Sequence, residues 1–194
     1  MGKSDRRCAK IRGVLERRQP DLTVVLENVH DPHNVSAVLR SCDAVGVLQV
    51  ELLYTIEKFP KIGRKSSSSA NKWLARRKHT SVEECYAELR REGFRIFATH
   101  LTESAVPIYA VDLTRPTALV FGNEHRGVSD DAARLADGNI WIPMMGMIQS
   151  LNVSVAAAVG LFEALRQRQA CGMYTSSRLA PGLLEDLYRE WAGW

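Results

Sequence analysis

Apolar positions along this chain fall into two alternating rhythms. Leu22–Glu27, Val47–Tyr54, Phe94–Thr99, Ala118–Phe121 and Ile140–Ile142 are short, nearly continuous β-rich runs, which predicts strands covered on both faces. Segments with helical spacing lie between them. Ser4–Arg18 puts Ile11, Val14 and Leu15 at i, i+3, i+4 and is stopped by Gln19-Pro20. Asp31-Pro32 predicts a turn, with His33 or Asn34 capping a helix to about Ala44. Ser81–Arg91 begins with Ser81 and Glu84 as a capping box and ends at Gly93. Ser129–Leu135 is a short helix capped by Ser129, and Glu185–Trp191 aligns with Leu184 to give a last apolar face. Thr55–Ala70 is a long polar loop, and the chain re-enters structure around Trp73. Strands alternating with helices predict an α/β fold, a mostly parallel sheet with helices on both faces.

The stretch Ile140–Arg168 is the most unusual. Pro143 ends the short strand, because it has no N–H to donate. Met144–Gln149 is an apolar loop containing Gly146, and loops of that composition are uncommon on a surface. Ser150, Leu151 and Asn152 open a long helix, on which Ala156, Gly160 and Ala164 form a stripe of small residues. Taken alone, these residues read as a strand, a tight turn and a core helix. The polar helix mouth beside a sulfur-rich loop also suits a ligand with both apolar and charged parts.

In a parallel sheet, ligands sit beyond the C-terminal ends of strands. Three sequence-distant loops lie there: Thr99–Leu101, Gly122–Gly127 and Met144–Leu151. They form a candidate pocket. Neither a G-x-G-x-x-G at the first strand nor a G-x-x-x-x-G-K-[ST] is present, so an ordinary dinucleotide or P-loop site is disfavoured.

Charge sharpens the picture. The 194 residues carry a net charge of +4, but it is unevenly spread. Met1–Gln19 holds seven Lys/Arg against Asp5 and Glu16, and Lys58–His79 holds eight Lys/Arg and no acid. The rest of the chain is therefore acidic. Two basic windows on an acidic body make a localised field whose natural partner is nucleic-acid phosphate. Hydrophobic content of 45% and charged content of 25% are those of a globular protein. No apolar run is long enough for a membrane span, and the basic N-terminus lacks the apolar core of a signal peptide. Cys8, Cys42, Cys85 and Cys171 form no C-x-x-C pair, so no metal site is expected, and reduced thiols in a cytoplasmic protein are.

Three ordered segments, ENVHDPHNVSAVLRSCDAVGV, VFGNEHRGVS and IPMMGMIQSLNVSVAAA, resemble motifs 1, 2 and 3 of the SpoU/TrmH family of RNA ribose 2′-O-methyltransferases. The flanks RRQPDLTVVLENVHDPHN and EALRQRQACGMY resemble the branch that modifies guanosine 18 of tRNA. The resemblance covers nearly the whole chain. It implies a SPOUT fold with a deep C-terminal trefoil knot, a homodimer formed through that knot region, and methyl transfer from S-adenosyl-L-methionine to the ribose 2′-OH of guanosine 18 in the tRNA D-loop. It implies a basic N-terminal helical extension at 1–20, a catalytic domain at 21–170 and a C-terminal helical extension at 171–194. Its donor contacts match Thr99, Gly122, Ile142 and Leu151, with Met144 and Met147 nearby. Its functional polar residues match Asn34, Arg40, Glu124, Ser150 and Asn152, with Arg40 central. Its tRNA-binding elements match basic positions that include Arg7, Arg12, Arg18, Lys58, Lys61, Arg64, Lys65, Lys72, Arg166 and Arg168.

A guanidinium is a poor base at neutral pH. Arg40 is therefore expected to bind phosphate and stabilise the developing alkoxide, with an RNA phosphate taking the proton. Arg40 also lies six residues after Asn34, well off its face in a regular helix. Two alternatives remain beside this reading: a 2′-O-methyltransferase for another tRNA or ribosomal RNA ribose, and an RNA-binding protein without turnover. Methyl transfer from labelled donor separates the second from the first.

Overall fold

The apolar runs pair into one parallel sheet. The computed structural model describes residues 5–60 and 72–193, so most of the expected loop Thr55–Ala70, with Lys61, Arg64 and Lys65, lies outside the described residues. Along the chain come α1 (Asp5–Leu15), β1 (Leu22–Glu27), α2 (Pro32–Val45), β2 (Gln49–Leu53), β3 (Ala75–His79), α3 (Val82–Arg91), β4 (Arg95–Thr99) and β5 (Val106–Pro107). A 3-10 turn at Ile108–Ala110 leads to β6 (Thr117–Phe121), α4 (Asp130–Leu135), β7 (Gly138–Trp141), α5 (Val153–Ala170) and α6 (Pro181–Ala192). The strand order is β3-β2-β1-β6-β4-β7-β5, and every strand pairing is parallel.

Alternation of side chains builds two cores from one sheet. Leu22, Val24 and Leu26 of β1 and Leu119 and Phe121 of β6 face α2 and α5, against Val35, Val38, Leu39, Ala157, Leu161 and Ala164. Val25, Ala118 and Val120 point the other way, against Val82, Cys85, Tyr86 and Leu89 of α3 and Ala132 and Ala133 of α4. Helices therefore cover both faces, as the pattern predicts. The small stripe on α5 has a plain packing reason: a Cβ on Gly160 would lie 3.1 Å from Ile108, 3.3 Å from Leu119 and 3.4 Å from Phe121.

The structure corrects several local expectations. Asp31, rather than His33 or Asn34, caps α2, accepting from the His33 N–H at 2.7 Å with Pro32 in the first turn. Asn152 alone caps α5, through the Ser154 N–H at 2.8 Å, and Ser150 lies before the helix. Strand β3 was hidden by its sequence, ARRKH. Buried Glu51 makes that strand tenable: it bonds Arg77 Nε at 2.9 Å and His79 Nε2 at 2.7 Å. Burial pushes the Glu51 carboxyl up, but His79, Arg77 and Gln49 outweigh it and hold it below the usual carboxylate range.

Two cations expected on the RNA surface are instead buried. Arg18 is fully buried and bonds Asp43 Oδ1 at 2.6 Å and the carbonyls of Val47 and Trp73 at 2.7 and 3.1 Å. Arg168 is fully buried and bonds Asp21 Oδ1 at 2.6 Å, Gln19 Oε1 at 3.1 Å and the carbonyls of Leu113, Asp21 and Arg115. Arg18 ties the turn after α1 to α2 and to the segments before β2 and β3, and Arg168 ties α5 to the segments before β1 and β6, since a guanidinium is well suited to collect several fixed acceptors. Helices α1 and α6 close over a small cluster of Ile11, Leu15, Leu179 and Trp191, with the Arg12 guanidinium bidentate to Glu185.

Removing Arg168 leaves Asp21 half-paired and takes one donor each from the carbonyls of Leu113, Asp21 and Arg115. Arg168→Ala is expected to destabilise the fold by about 3–5 kcal/mol, read as a lower urea midpoint; a midpoint matching the wild type would refute the bracing role.

Candidate active site

The C-terminal ends of β4, β6 and β7 open into a cavity of about 990 Å³, at the upper end of the range for small-molecule sites. Its wall comes from the three loops singled out in the sequence. Thr99, Gly122, Ile142, Met144 and Leu151 line it, together with Glu124, Ser150 and Asn152. Leu101, Ile140 and Ile148 add apolar wall that motif matching did not flag. Met147 does not line it and is 99% exposed, although its neighbours Gly146 and Ile148 do line it. Arg40 is exposed on α2 and is also absent from the wall. Asn34 stands just behind it, buried.

A polar relay joins these loops. Glu124 Oε1 accepts from the Asp31 N–H at 3.0 Å and from Asn34 Nδ2 at 2.9 Å, while Oε2 accepts from the His30 N–H at 3.0 Å. Asn34 Oδ1 then accepts from Asn152 Nδ2 at 3.0 Å. Asn152 Oδ1 is already committed to the Ser154 N–H and hydroxyl. Each amide is thus used at both ends, which fixes its orientation. Burial pushes the Glu124 carboxyl up, but the Asn34 amide and the two backbone N–H groups outweigh it and hold it below the ordinary carboxylate range.

Loop 122–127 is a tight hairpin. Asn123 and Gly127 exchange N–H···O bonds at 3.0 and 2.9 Å, and Asn123 Oδ1 accepts from the His125 and Arg126 N–H groups at 3.0 and 3.2 Å. Asn123 Nδ2 donates to the Asn28 carbonyl at 2.8 Å. Sequence reasoning missed both asparagines; for Asn123 the signal was an Asn between glycine and a polar run, a residue type that bonds its own following backbone. Gly122 is required by contact: a Cβ there would lie 2.1 Å from the Gly127 carbonyl.

The remaining basic positions stay accessible. Arg7, Lys58 and Lys72 are exposed. Arg12 is half-exposed and engaged with Glu185, and Arg166 is exposed while paired with Glu163. Among the described residues no cluster of His, Cys, Asp and Glu could hold a metal, and no helix is long and apolar enough to cross a membrane.

The cavity suits S-adenosyl-L-methionine. Its wall mixes apolar side chains with a carboxylate, a hydroxyl and an amide. The backbone groups of Met144 and Leu151 enter none of the turn or loop hydrogen bonds seen among the described residues, leaving them free for a ligand.

Residues 21–162 match the SpoU rRNA Methylase family. The chain is 50% identical over 189 residues to the tRNA (guanosine(18)-2′-O)-methyltransferase of Thermus thermophilus, covering 97% of each. The crystal structure of the A. aeolicus TrmH/SpoU tRNA modifying enzyme superposes with a TM-score of 0.91 at 42% identity, covering 97% of this chain and 96% of that one. The SpoU methyltransferase AviRb from Streptomyces viridochromogenes, solved in complex with the cofactor AdoMet, gives a TM-score of 0.67 at 29% identity, covering 80% of this chain and 59% of that one.

Two outcomes test the site's construction. Gly122→Ala is expected to lose about 1–3 kcal/mol of stability from the forced opening of the hairpin, together with donor binding, read by thermal melts and donor titration; unchanged binding would show that the hairpin is not part of the pocket. The stability that wild type holds over Glu124→Gln should be complete above the unfolded carboxylate value of about 4.3. It should fade as pH falls through the lower folded value, because protonation removes the acceptor charge. Melts across pH 3–7 that show a pH-independent difference would contradict this.

Proposed function

This chain belongs to the SpoU methylase family, and on that premise we propose that it transfers a methyl group from S-adenosyl-L-methionine to the ribose 2′-OH of guanosine 18 in tRNA. The single observation that carries the reading is the joining of all three motifs at one cavity by the Glu124–Asn34–Asn152 relay, together with near full-length similarity to enzymes of that activity. When bound, S-adenosyl-L-methionine supplies a sulfonium-activated methyl group, which the ribose O2′ attacks in line, and S-adenosyl-L-homocysteine is left.

The chain's own residues supply orientation and electrostatics. Thr99, Gly122, Ile142, Met144 and Leu151 shape the donor cavity. Glu124, Asn34 and Asn152 hold its loops in register, and Ser150 stands at its edge. A positioned donor and acceptor contribute much of the acceleration, because the reacting atoms no longer have to find one another. Arg40 holds an RNA phosphate and stabilises charge developing on O2′, while the hydroxyl proton passes to a phosphate oxygen.

Arg40 lies outside the cavity of its own chain, which favours a homodimer in which one protomer's Arg40 serves the other's donor site. Exposed Met145, Met147 and Ile148 beside the cavity and exposed Val155 and Phe162 on α5 support such an interface. The family's trefoil knot belongs to this same C-terminal region. The tRNA surface then comprises Arg7, Arg12, Lys58, Lys72 and Arg166, with the extensions 1–20 and 171–194 flanking the domain 21–170. Such an enzyme works in the cytoplasm, where tRNA is its substrate.

Incubation with donor and unmodified tRNA, followed by nucleotide-resolution mapping of ribose methylation, tests the proposal. The expected result is methylation at guanosine 18 that falls by about 10²–10³-fold in Arg40→Ala. Methylation of a different ribose would replace the substrate, and none on any RNA would leave only binding.

A further inference from the structure

Among the described residues, Asn28 is the only non-glycine residue with a left-handed backbone, φ 51°, and it is 4% exposed. It follows β1 directly, and its N–H donates to the Leu53 carbonyl at 2.9 Å. Its Oδ1 accepts three successive backbone N–H groups, those of Thr55, Ile56 and Glu57, at 3.0, 3.0 and 3.1 Å. Its Nδ2 donates to Thr55 Oγ1 at 3.0 Å. Its carbonyl accepts from Asn123 Nδ2 at 2.8 Å.

Three segments therefore meet on one side chain and its peptide. The first runs from β1 to Asp31 and Asn34. The second follows β2 and leads through Glu57 into the exposed Lys58. The third is the hairpin 122–127, which lines the donor cavity and carries Glu124. The Arg126–Glu57 ion pair at 2.8 Å is a second link between the last two. The left-handed backbone disfavours most side chains, and asparagine tolerates it best among them. Glycine would supply that backbone without the side-chain bonds, whereas asparagine meets both demands and adds a donor that aspartate lacks.

We infer that Asn28 is a positioning residue that fixes segment 55–58 against the methyl-donor hairpin, so that RNA held at Lys58 presents its ribose at a set distance from the donor. The inference rests on the tRNA reading above. Asn28 is not in the cavity wall and acts through the segments it ties.

Asn28→Gly keeps the backbone conformation and removes every side-chain bond. Asn28→Asp keeps the acceptor for the three N–H groups and loses only the bond to Thr55. Wild type and both variants would be compared by donor titration, by kcat and KM with unmodified tRNA, and by amide exchange at residues 55–57. In Asn28→Gly those amides should exchange faster and kcat/KM for tRNA should fall about tenfold to a hundredfold, with donor affinity held within about twofold. Asn28→Asp should recover most of the loss. Wild-type tRNA kinetics in Asn28→Gly would overturn the inference, and so would a parallel loss of donor affinity and turnover that Asn28→Asp does not rescue. Should wild type methylate no tRNA, the functional reading fails by itself, and unchanged protection at 55–57 in Asn28→Gly would still refute the clamp.

Discussion

One carboxylate holds this site together. Glu124 gathers two backbone N–H groups and one amide from the segment after β1, and Asn34 passes the connection on to the mouth of α5. Residues separated by 90 and 118 positions in the chain are thus held by bonds of about 3 Å. A charged acceptor makes stronger hydrogen bonds than a neutral one. The loops would otherwise be independent excursions from three strands, and a cavity between independent loops has no fixed shape. Preorganisation of this kind is what in-line transfer needs from a protein that contributes little covalent chemistry of its own.

Much of the architecture was legible because the two periodicities differ. Every long helix and the five apolar strands could be placed, and parallel strands pointed to the shared edge where the cavity lies. What stayed hidden has identifiable causes. Strand β3 is an edge strand of basic residues, so its only clues lay in its partner β2, in that strand's apolar run and in its buried, acidic Glu51. Strand β5 is two residues long, too short to carry a pattern. Arg18 and Arg168 looked like surface charge because a cation's acceptors cannot be read from its neighbours in sequence: Asp21 is 147 residues from Arg168.

The site was legible to a different degree. Motif matching brought Thr99, Gly122, Ile142, Leu151, Glu124 and Asn152 to one cavity, and it left out Asn28 and Asn123, whose work is to hold backbone rather than ligand. It also paired Arg40 with Asn34, although six residues of helix separate them. The structure keeps them apart, with Asn34 buried and Arg40 on the surface. Helical geometry had already implied that separation.

The strand order bears on how the chain comes to be folded at all. The interior strand β1 is made well before its neighbour β6, which begins at Thr117, and the Arg168 brace that grips Gln19 and Asp21 comes later still. During synthesis β1 waits with one side unpaired until the residues up to β6 have been made. Contacts so distant in sequence make folding slow, and an unpaired apolar strand is a target for aggregation. The two-residue β5 and the basic β3 end the sheet with edges that discourage further pairing. Those same two strands, the least readable in the sequence, are the ones that protect the finished sheet from its neighbours.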